Sequence, residues 1–332
     1  MLELLKMELR LYVFIFFIFG VLSCISEKEE VISLSEKNSV SELSDTLFFS
    51  DVENMLIYKD KLYFVEHNRE QIICLNLDLT LYRIFGERGV GPKEFGYISG
   101  FTFKDDSLYV LDSGNARLYV SDLLGNIVQS FRLTETLPIM AEYRFVVNKE
   151  KDVVISSVSE HGAFADFNLS SMKVEFWGER YSFSNEIWKR IRNGQHLLLN
   201  DSLYVSVSDN MPFVNIYSQS EKKCIYKYDY SKIEIVKKRI AALKSAPPRA
   251  INTYGIVCED AYITDKNVYL LLCSIKNGLY CANKIASFKL SPEVSLEAVF
   301  ELPGNVYTSF CVIGNNIYAF NKVESKLEHF FF

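Results

Sequence analysis

Short catalytic signatures are missing from this 332-residue chain, and so are the residues that most often build them. It has only 4 His, 7 Cys and 7 Pro. No H-E-x-x-H, G-x-S-x-G or paired C-x-x-C occurs. Sparse cysteine excludes a disulfide-stapled scaffold, and sparse proline and glycine exclude collagen-like and low-complexity classes. Basic charge is also short, with 36 Lys plus Arg against 42 Asp plus Glu for a net charge of −6, which argues against nucleic acid as a partner. The one long apolar run, Leu11 to Phe19, falls short of the ~20 residues a permanent membrane helix needs. Aromatics are abundant instead: 25 Phe and 20 Tyr against 15 Gly favour strands, where flat rings pack well on pleated surfaces.

The N-terminus reads as an address. Lys6 and Arg10 precede the apolar run, and Gly20-Val21-Leu22-Ser23 follows it, the layout of a signal peptide over residues 1–23. Val21-Leu22-Ser23-Cys24 resembles the bacterial lipobox, which implies that Cys24 is lipid-modified and becomes the new N-terminus. Residues 24–44 are polar and read as a tether. The acidic run Glu27-Lys28-Glu29-Glu30 resembles the surface-export signal of Bacteroidetes-type lipoproteins. The expected location is the outer membrane, lipid-anchored, facing either the surface or the periplasm.

Residues 45–332 repeat one strand-rich unit. Lys61-Leu62-Tyr63-Phe64 recurs in kind at Ser107–Val110, Asp152–Ile155, Ser202–Val205, Asn267–Leu270 and Asn316–Ala319, with successive spacings of 46, 45, 50, 65 and 49 residues. In the second unit, four apolar runs are separated by Lys104-Asp105-Asp106, Asp112-Ser113-Gly114-Asn115 and Gly125-Asn126, the turn chemistry of a four-stranded propeller blade. Six units predict an all-β, six-bladed β-propeller in a single domain. The last unit has only three strands before the chain ends, so Asp45-Thr46-Leu47-Phe48-Phe49 is expected to close the ring by pairing with the C-terminal blade.

Gly89-Val90-Gly91-Pro92-Lys93-Glu94-Phe95, followed by Tyr109-Val110-Leu111-Asp112-Ser113-Gly114-Asn115-Ala116-Arg117, resembles an NHL repeat. With the lipobox and the unit count, the chain resembles the TolB-like propeller lipoproteins of Bacteroidetes. That resemblance implies fold and location more than chemistry. A phosphate-loop reading of Gly86-x4-Gly91 fails because Pro92 stands where that loop needs Lys.

In propellers, ligands usually sit on the face that carries the blade-to-blade connectors and the turns between second and third strands. That face is expected to receive Glu66, His67, Arg69, Arg88, Lys93, Asp112, Asn115, Arg117, Glu160, His161, Asp209 and Asn210. The ligand-binding candidates are His67, Arg69, Arg88, Lys93, Asp112, Asn115, Arg117 and His161, a rim rich in cations that suits a glycan or anionic ligand. His196 and His329 lie in strand segments and read as packing residues. No catalytic residue and no cofactor is predicted; the alternative is a metal-dependent hydrolase or lyase holding Ca²⁺ or Zn²⁺ in the central channel. Apart from the membrane bound through the lipid anchor, the expected partner is a small molecule or an envelope protein, and the domain is expected to be monomeric.

The long fourth spacing comes from an insertion near residues 231–250. There Ile233, Val236, Ile240 and Leu243 follow helical periodicity and Pro247-Pro248 ends it, which predicts a short helix capping part of the channel mouth. The six cysteines after Cys24 lie mostly in apolar runs and are expected to be reduced and buried, with Cys273 and Cys281 as the best candidate pair.

Overall fold

The computed structural model describes residues 30–44, 47–133, 143–157, 159–181, 194–200, 203–245, 255–290 and 293–332. The signal-peptide segment and Cys24 lie outside the described residues. Residues Val31–Phe332 form one compact unit.

That unit is the expected ring of six antiparallel blades. In the first blade, strands Val52–Tyr58, Lys61–Glu66, Gln71–Asn76 and Leu81–Phe85 pair in chain order from the innermost to the outermost. Blades two to four repeat this order from Ile98, Val146 and Gln195, and the fifth and sixth begin at Cys258 and Tyr307. Several first hairpins turn on two residues that are both left-handed, such as Lys59-Asp60 (φ 47° and 55°) and Asp105-Asp106 (φ 47° and 59°). This geometry matches the twist of the flanking strands.

Six apolar clusters hold the ring, and each bridges two neighbouring blades. Tyr63, Val65 and Phe85 of the first blade pack on Phe101, Leu108 and Tyr119 of the second, and Cys311, Tyr318 and Phe320 of the sixth return to Val52, Leu62 and Phe64 of the first. The remaining clusters join blades two to three, three to four, four to five and five to six. A four-stranded sheet has two apolar faces, so stacking around an axis is what buries both. The recurrent tyrosines Tyr63, Tyr109, Tyr204, Tyr269 and Tyr318 are all buried in these interfaces. All six described cysteines are free thiols. Ser274 rather than Cys273 stands opposite Cys281 across the strand pair.

Ring closure by an N-terminal strand is as expected, but a different strand makes it. The strand that completes the sixth blade is Glu36–Val40, antiparallel to Lys326–Phe331 with Glu36 opposite Phe330 and Val40 opposite Leu327. Leu47–Phe48, within the segment expected to close the ring, pairs with Glu42–Ser44 instead. Val31–Ser33 adds in parallel to Ser295–Glu301 as a fifth, outermost strand of the fifth blade. The stretch from residue 31 to 44, expected to be tether, is therefore largely strand. Glu36–Val40 is an outer strand and mostly exposed, so it carries no apolar alternation to betray it. It is fixed by main-chain pairing and by Lys326 Nζ, 2.7 Å from Glu36 Oε2.

The insertion does form a helix, Glu234–Ser245. It buttresses rather than caps. Val236 and Ile233 are buried in the cluster between blades four and five, and Arg239 Nε donates to the carbonyl of Ile256 at 2.8 Å. No residue of the helix lines the axial cavity described below.

Candidate functional site

Each innermost strand starts at the connector face and runs down the axis. Polar side chains at the upper ends of these strands surround a cavity of about 180 Å³, lined by Glu53, Tyr97, Ser99, Tyr143, Arg144, His196, Asp209, Glu259, Asp260 and Ser309 among others. Below it, a second cavity of about 300 Å³ is lined largely by apolar residues later in the same strands, including Leu56, Phe101, Phe103, Leu197, Leu199 and Tyr262. Arg144 borders both.

Arg144 is the waist of the channel. Its Nε and Nη2 each donate to a carboxylate oxygen of Asp260 at 2.7 Å, and Nη1 donates to the carbonyl of Met55 at 2.9 Å. Ser309 Oγ donates to Asp260 Oδ2 at 2.8 Å. Blades one, three, five and six thus meet at one buried ion pair. Burial alone would raise the Asp260 pKa, but the Arg144 charge and hydrogen bonds hold it below the usual value. Bidentate geometry and saturated partners are what make such a pair tolerable away from water.

The other ionisable groups of the upper cavity have no such cation. Burial pushes Asp209 up to about 8, with the hydrogen bond from Tyr143 Oη (2.8 Å to Oδ2) acting in the opposite direction. Burial also raises Glu259, which accepts from Tyr280 Oη. His196 is pushed down to about 4 by burial, so its imidazole is neutral near pH 7, and its Nδ1 faces the Arg144 amide at 3.5 Å. Glu53 Oε2 accepts from His67 Nε2 at 3.2 Å. Burial lowers the His67 pKa, but Glu53 and Glu70 outweigh it and hold it above the ordinary value. The His67 ring lies parallel to Tyr97, centroids 4.9 Å apart and 14° between planes. Tyr97 is 38% exposed at the cavity edge.

Only part of the predicted rim converges here. His67 stands immediately behind the cavity wall, and Arg88 Nη2 donates to the His67 carbonyl at 2.8 Å and approaches Glu70 Oε1 at 3.4 Å. Asp112 is fully buried and accepts from the amides of Gly96, Tyr97 and Asn115, each at 3.0 Å, and from Asn115 Nδ2 at 2.8 Å. It braces the turn that presents Tyr97. Asn115 Nδ2 also donates to the Gly89 carbonyl at 3.0 Å. Arg69 lies 5.6 Å over the Phe48 ring, Arg117 donates to Ser130 Oγ at 2.8 Å, Lys93 is exposed on the connector, and His161 is exposed 6.1 Å from Phe176. None of the eight ligand-binding candidates itself lines the cavity; of the residues expected on this face, Asp209 does.

The NHL-like entry is explained by local bonding. Gly86 is left-handed (φ 74°), and a Cβ there would fall 2.2 Å from the ring of Phe95. Glu94 Oε2 accepts from the amides of Val90 and Gly91, both at 2.9 Å. The amides a phosphate would need are occupied by a carboxylate of the same loop.

Sequence reading missed Glu53, Tyr97, Tyr143, Arg144, Glu259 and Asp260 and placed His196 in the packing. The signal for them was a polar residue at the opening of each innermost strand, where the neighbouring positions are apolar. Glu66, aligned with Asp112, performs the same bracing in blade one, accepting from Ser50 Oγ at 2.8 Å and the Arg69 amide at 3.1 Å. In blade four the brace falls on Ser208, one residue beyond the position aligned by sequence, and accepts from the amides of Asn210 and Met211.

Among the described residues no three His, Cys, Asp or Glu groups form a metal-holding cluster, and Asp260 is already committed to Arg144.

No known family matches the chain, and no curated protein matches it in sequence. Solved structures do. A member of the DUF4221 family from Bacteroides vulgatus has a TM-score of 0.62 at 11% identity, covering 92% of this chain and 98% of that one. A Bacteroides fragilis protein described as exported has a TM-score of 0.58 at 10% identity, covering 87% and 88%. The propeller domain of Myceliophteria thermophila Cps50 (Swd1) has a TM-score of 0.50 at 10% identity, covering 90% and 99%. At these identities the likeness establishes the fold.

Proposed function

We propose that this six-bladed propeller is an exported envelope lipoprotein, anchored through Cys24, that binds a neutral polyhydroxylated ligand such as a glycan end in its upper axial cavity. The observation that carries the ligand class is Tyr97, an aromatic ring backed by His67 and presented to a cavity whose other walls include hydroxyls, carboxyls, the His196 imidazole and the paired Arg144 guanidinium. A sugar ring stacks on an aromatic face while its hydroxyls meet polar side chains at fixed positions. The anionic alternative is disfavoured: Glu53, Asp209, Glu259 and Asp260 face one cation, Arg144, which is already paired.

Export is supported by the signal-peptide pattern and the lipobox, and the fold is shared with a Bacteroides fragilis protein described as exported. Among the described residues no helix is long and apolar enough to cross a membrane. Labelled palmitate should be incorporated by the natural chain and not by Cys24→Ala. Calorimetric titration of the full chain with glucose, galactose and N-acetylglucosamine, and with glucuronate as the anionic counterpart, tests the ligand. Binding of a neutral sugar, weakened at least tenfold by Tyr97→Ala, is expected; preference for glucuronate would overturn the reading.

A further inference from the structure

Asp209 sits in the turn after strand Leu203–Ser208 and lines the upper cavity. Its two oxygens are in different circumstances. Oδ2 accepts from Tyr143 Oη at 2.8 Å, whereas Oδ1 is buried and has no hydrogen-bond partner among the described residues. The turn is held rigidly, because the Asp209 carbonyl accepts from the amides of Val257 (2.6 Å) and Cys258 (3.0 Å). An unpaired buried oxygen on a fixed turn costs free energy that a partner would restore.

Burial and the neighbouring Glu259 discourage ionisation of this carboxyl and outweigh the opposing hydrogen bonds from Tyr143 and nearby backbone amides. Tyr143 precedes strand Val146–Val147, Glu259 and Cys258 open the fifth blade, and Tyr230 leads into the helix; none is a cation. His196 is neutral near pH 7, and Arg144 is bound bidentately to Asp260. A carboxyl buried among such groups keeps its proton.

We infer that Asp209 is a neutral carboxylic acid in the cavity and donates a hydrogen bond through Oδ1 to an acceptor oxygen of the bound ligand. This rests on the reading of the upper cavity as the ligand site. Tyr143 fixes which oxygen accepts, so the proton resides on the oxygen without a partner, and the ligand completes the pair. The site thereby selects an uncharged ligand with an oxygen acceptor and rejects an ammonium group, which offers donors only.

The test uses the full chain, with N-acetylglucosamine, glucose and galactose as probes, and Asp209→Asn and Asp209→Ala as variants. Asn can accept from Tyr143 through its oxygen and donate into the cavity through its amide, so it mimics the protonated acid. Infrared difference spectra of wild type against Asp209→Asn should contain a protonated carboxyl band at pH 7 that fades as pH passes about 8 and shifts when a bound sugar is added. Wild-type affinity should fall across the same pH range while Asp209→Asn stays flat, and Asp209→Ala should lose roughly tenfold at pH 7. If a sugar binds but the carboxyl is ionised at pH 7, or Asp209→Asn loses as much as Asp209→Ala, the donor role is wrong and the cavity reading stands. If the protonated band is present yet no sugar binds wild type, the cavity reading fails and the donor role falls with it.

Discussion

Arg144 of the third blade and Asp260 of the fifth are joined across the propeller axis by two hydrogen bonds of 2.7 Å, and both side chains are buried. Removing one member leaves an uncompensated charge at the centre of the ring. Arg144→Met should therefore destabilise the fold by about 3–5 kcal/mol. The double variant Arg144→Met, Asp260→Leu should recover most of that loss, because two apolar side chains leave no unpaired ion. Urea unfolding of the three proteins measures the difference; equal losses in the single and double variants would show that the pair is not what Arg144 contributes.

Two buried groups of the upper cavity impose opposite pH dependences. The folded pKa of Asp209, about 8, lies above its ordinary 3.8, so its contribution is full near pH 4 and is lost as pH rises to 8. The folded pKa of His196, about 4, lies below its ordinary 6.5, so its contribution is full above pH 6.5 and is lost as pH falls to 4. Each slope is about 1.4 kcal/mol per pH unit at most. The two cancel between pH 4 and 6.5, and only the Asp209 loss remains above it. Asp209→Asn should gain on wild type steadily from pH 4 to 8 and reveal the acid-side loss from His196. Parallel stability curves for the two proteins would contradict the Asp209 assignment, and an Asp209→Asn curve that is flat between pH 4 and 6.5 would contradict that of His196.

Asp112→Ala separates bracing from binding. The carboxylate satisfies three amides and one side-chain amide, and its loss strands several partly buried donors. A cost of about 2–4 kcal/mol follows from unmade bonds at this depth. Stability should fall while the stoichiometry of sugar binding is retained in the folded protein. A loss of binding at unchanged stability would restore Asp112 to the ligand site.

Ring closure gives a boundary that truncation can find. A chain starting at Glu30 retains the strands Val31–Ser33 and Glu36–Val40, whereas one starting at Glu42 loses both and opens the outer edge of the sixth blade. The second should melt at lower temperature and associate through its unpaired edge, as read by thermal unfolding and size-exclusion chromatography. Equal behaviour of the two chains would mean that closure does not depend on Glu36–Val40.

The ring was legible because blades are built from a repeated local rule: a short apolar strand behind a polar turn, with tyrosine recurring at one buried position. Glu36–Val40 escaped because an outer strand exposed to water needs no apolar pattern, and its partner lies some three hundred residues away in the chain. The turn braces were only half visible. Asp112 and Glu66 share a position and a role, but in the fourth blade a one-residue shift moves the same role to Ser208. The cavity was least visible of all. It takes a few residues from each blade, and Arg144 meets Asp260 over a separation of 116 residues, so no local motif records the site.

The most direct measurement is a crystal structure of the chain soaked with N-acetylglucosamine at a concentration that saturates binding. Sugar density between the Tyr97 ring and Asp209 Oδ1, above the Arg144–Asp260 pair, is the predicted result. An empty upper cavity with the sugar bound elsewhere on the propeller would contradict the account.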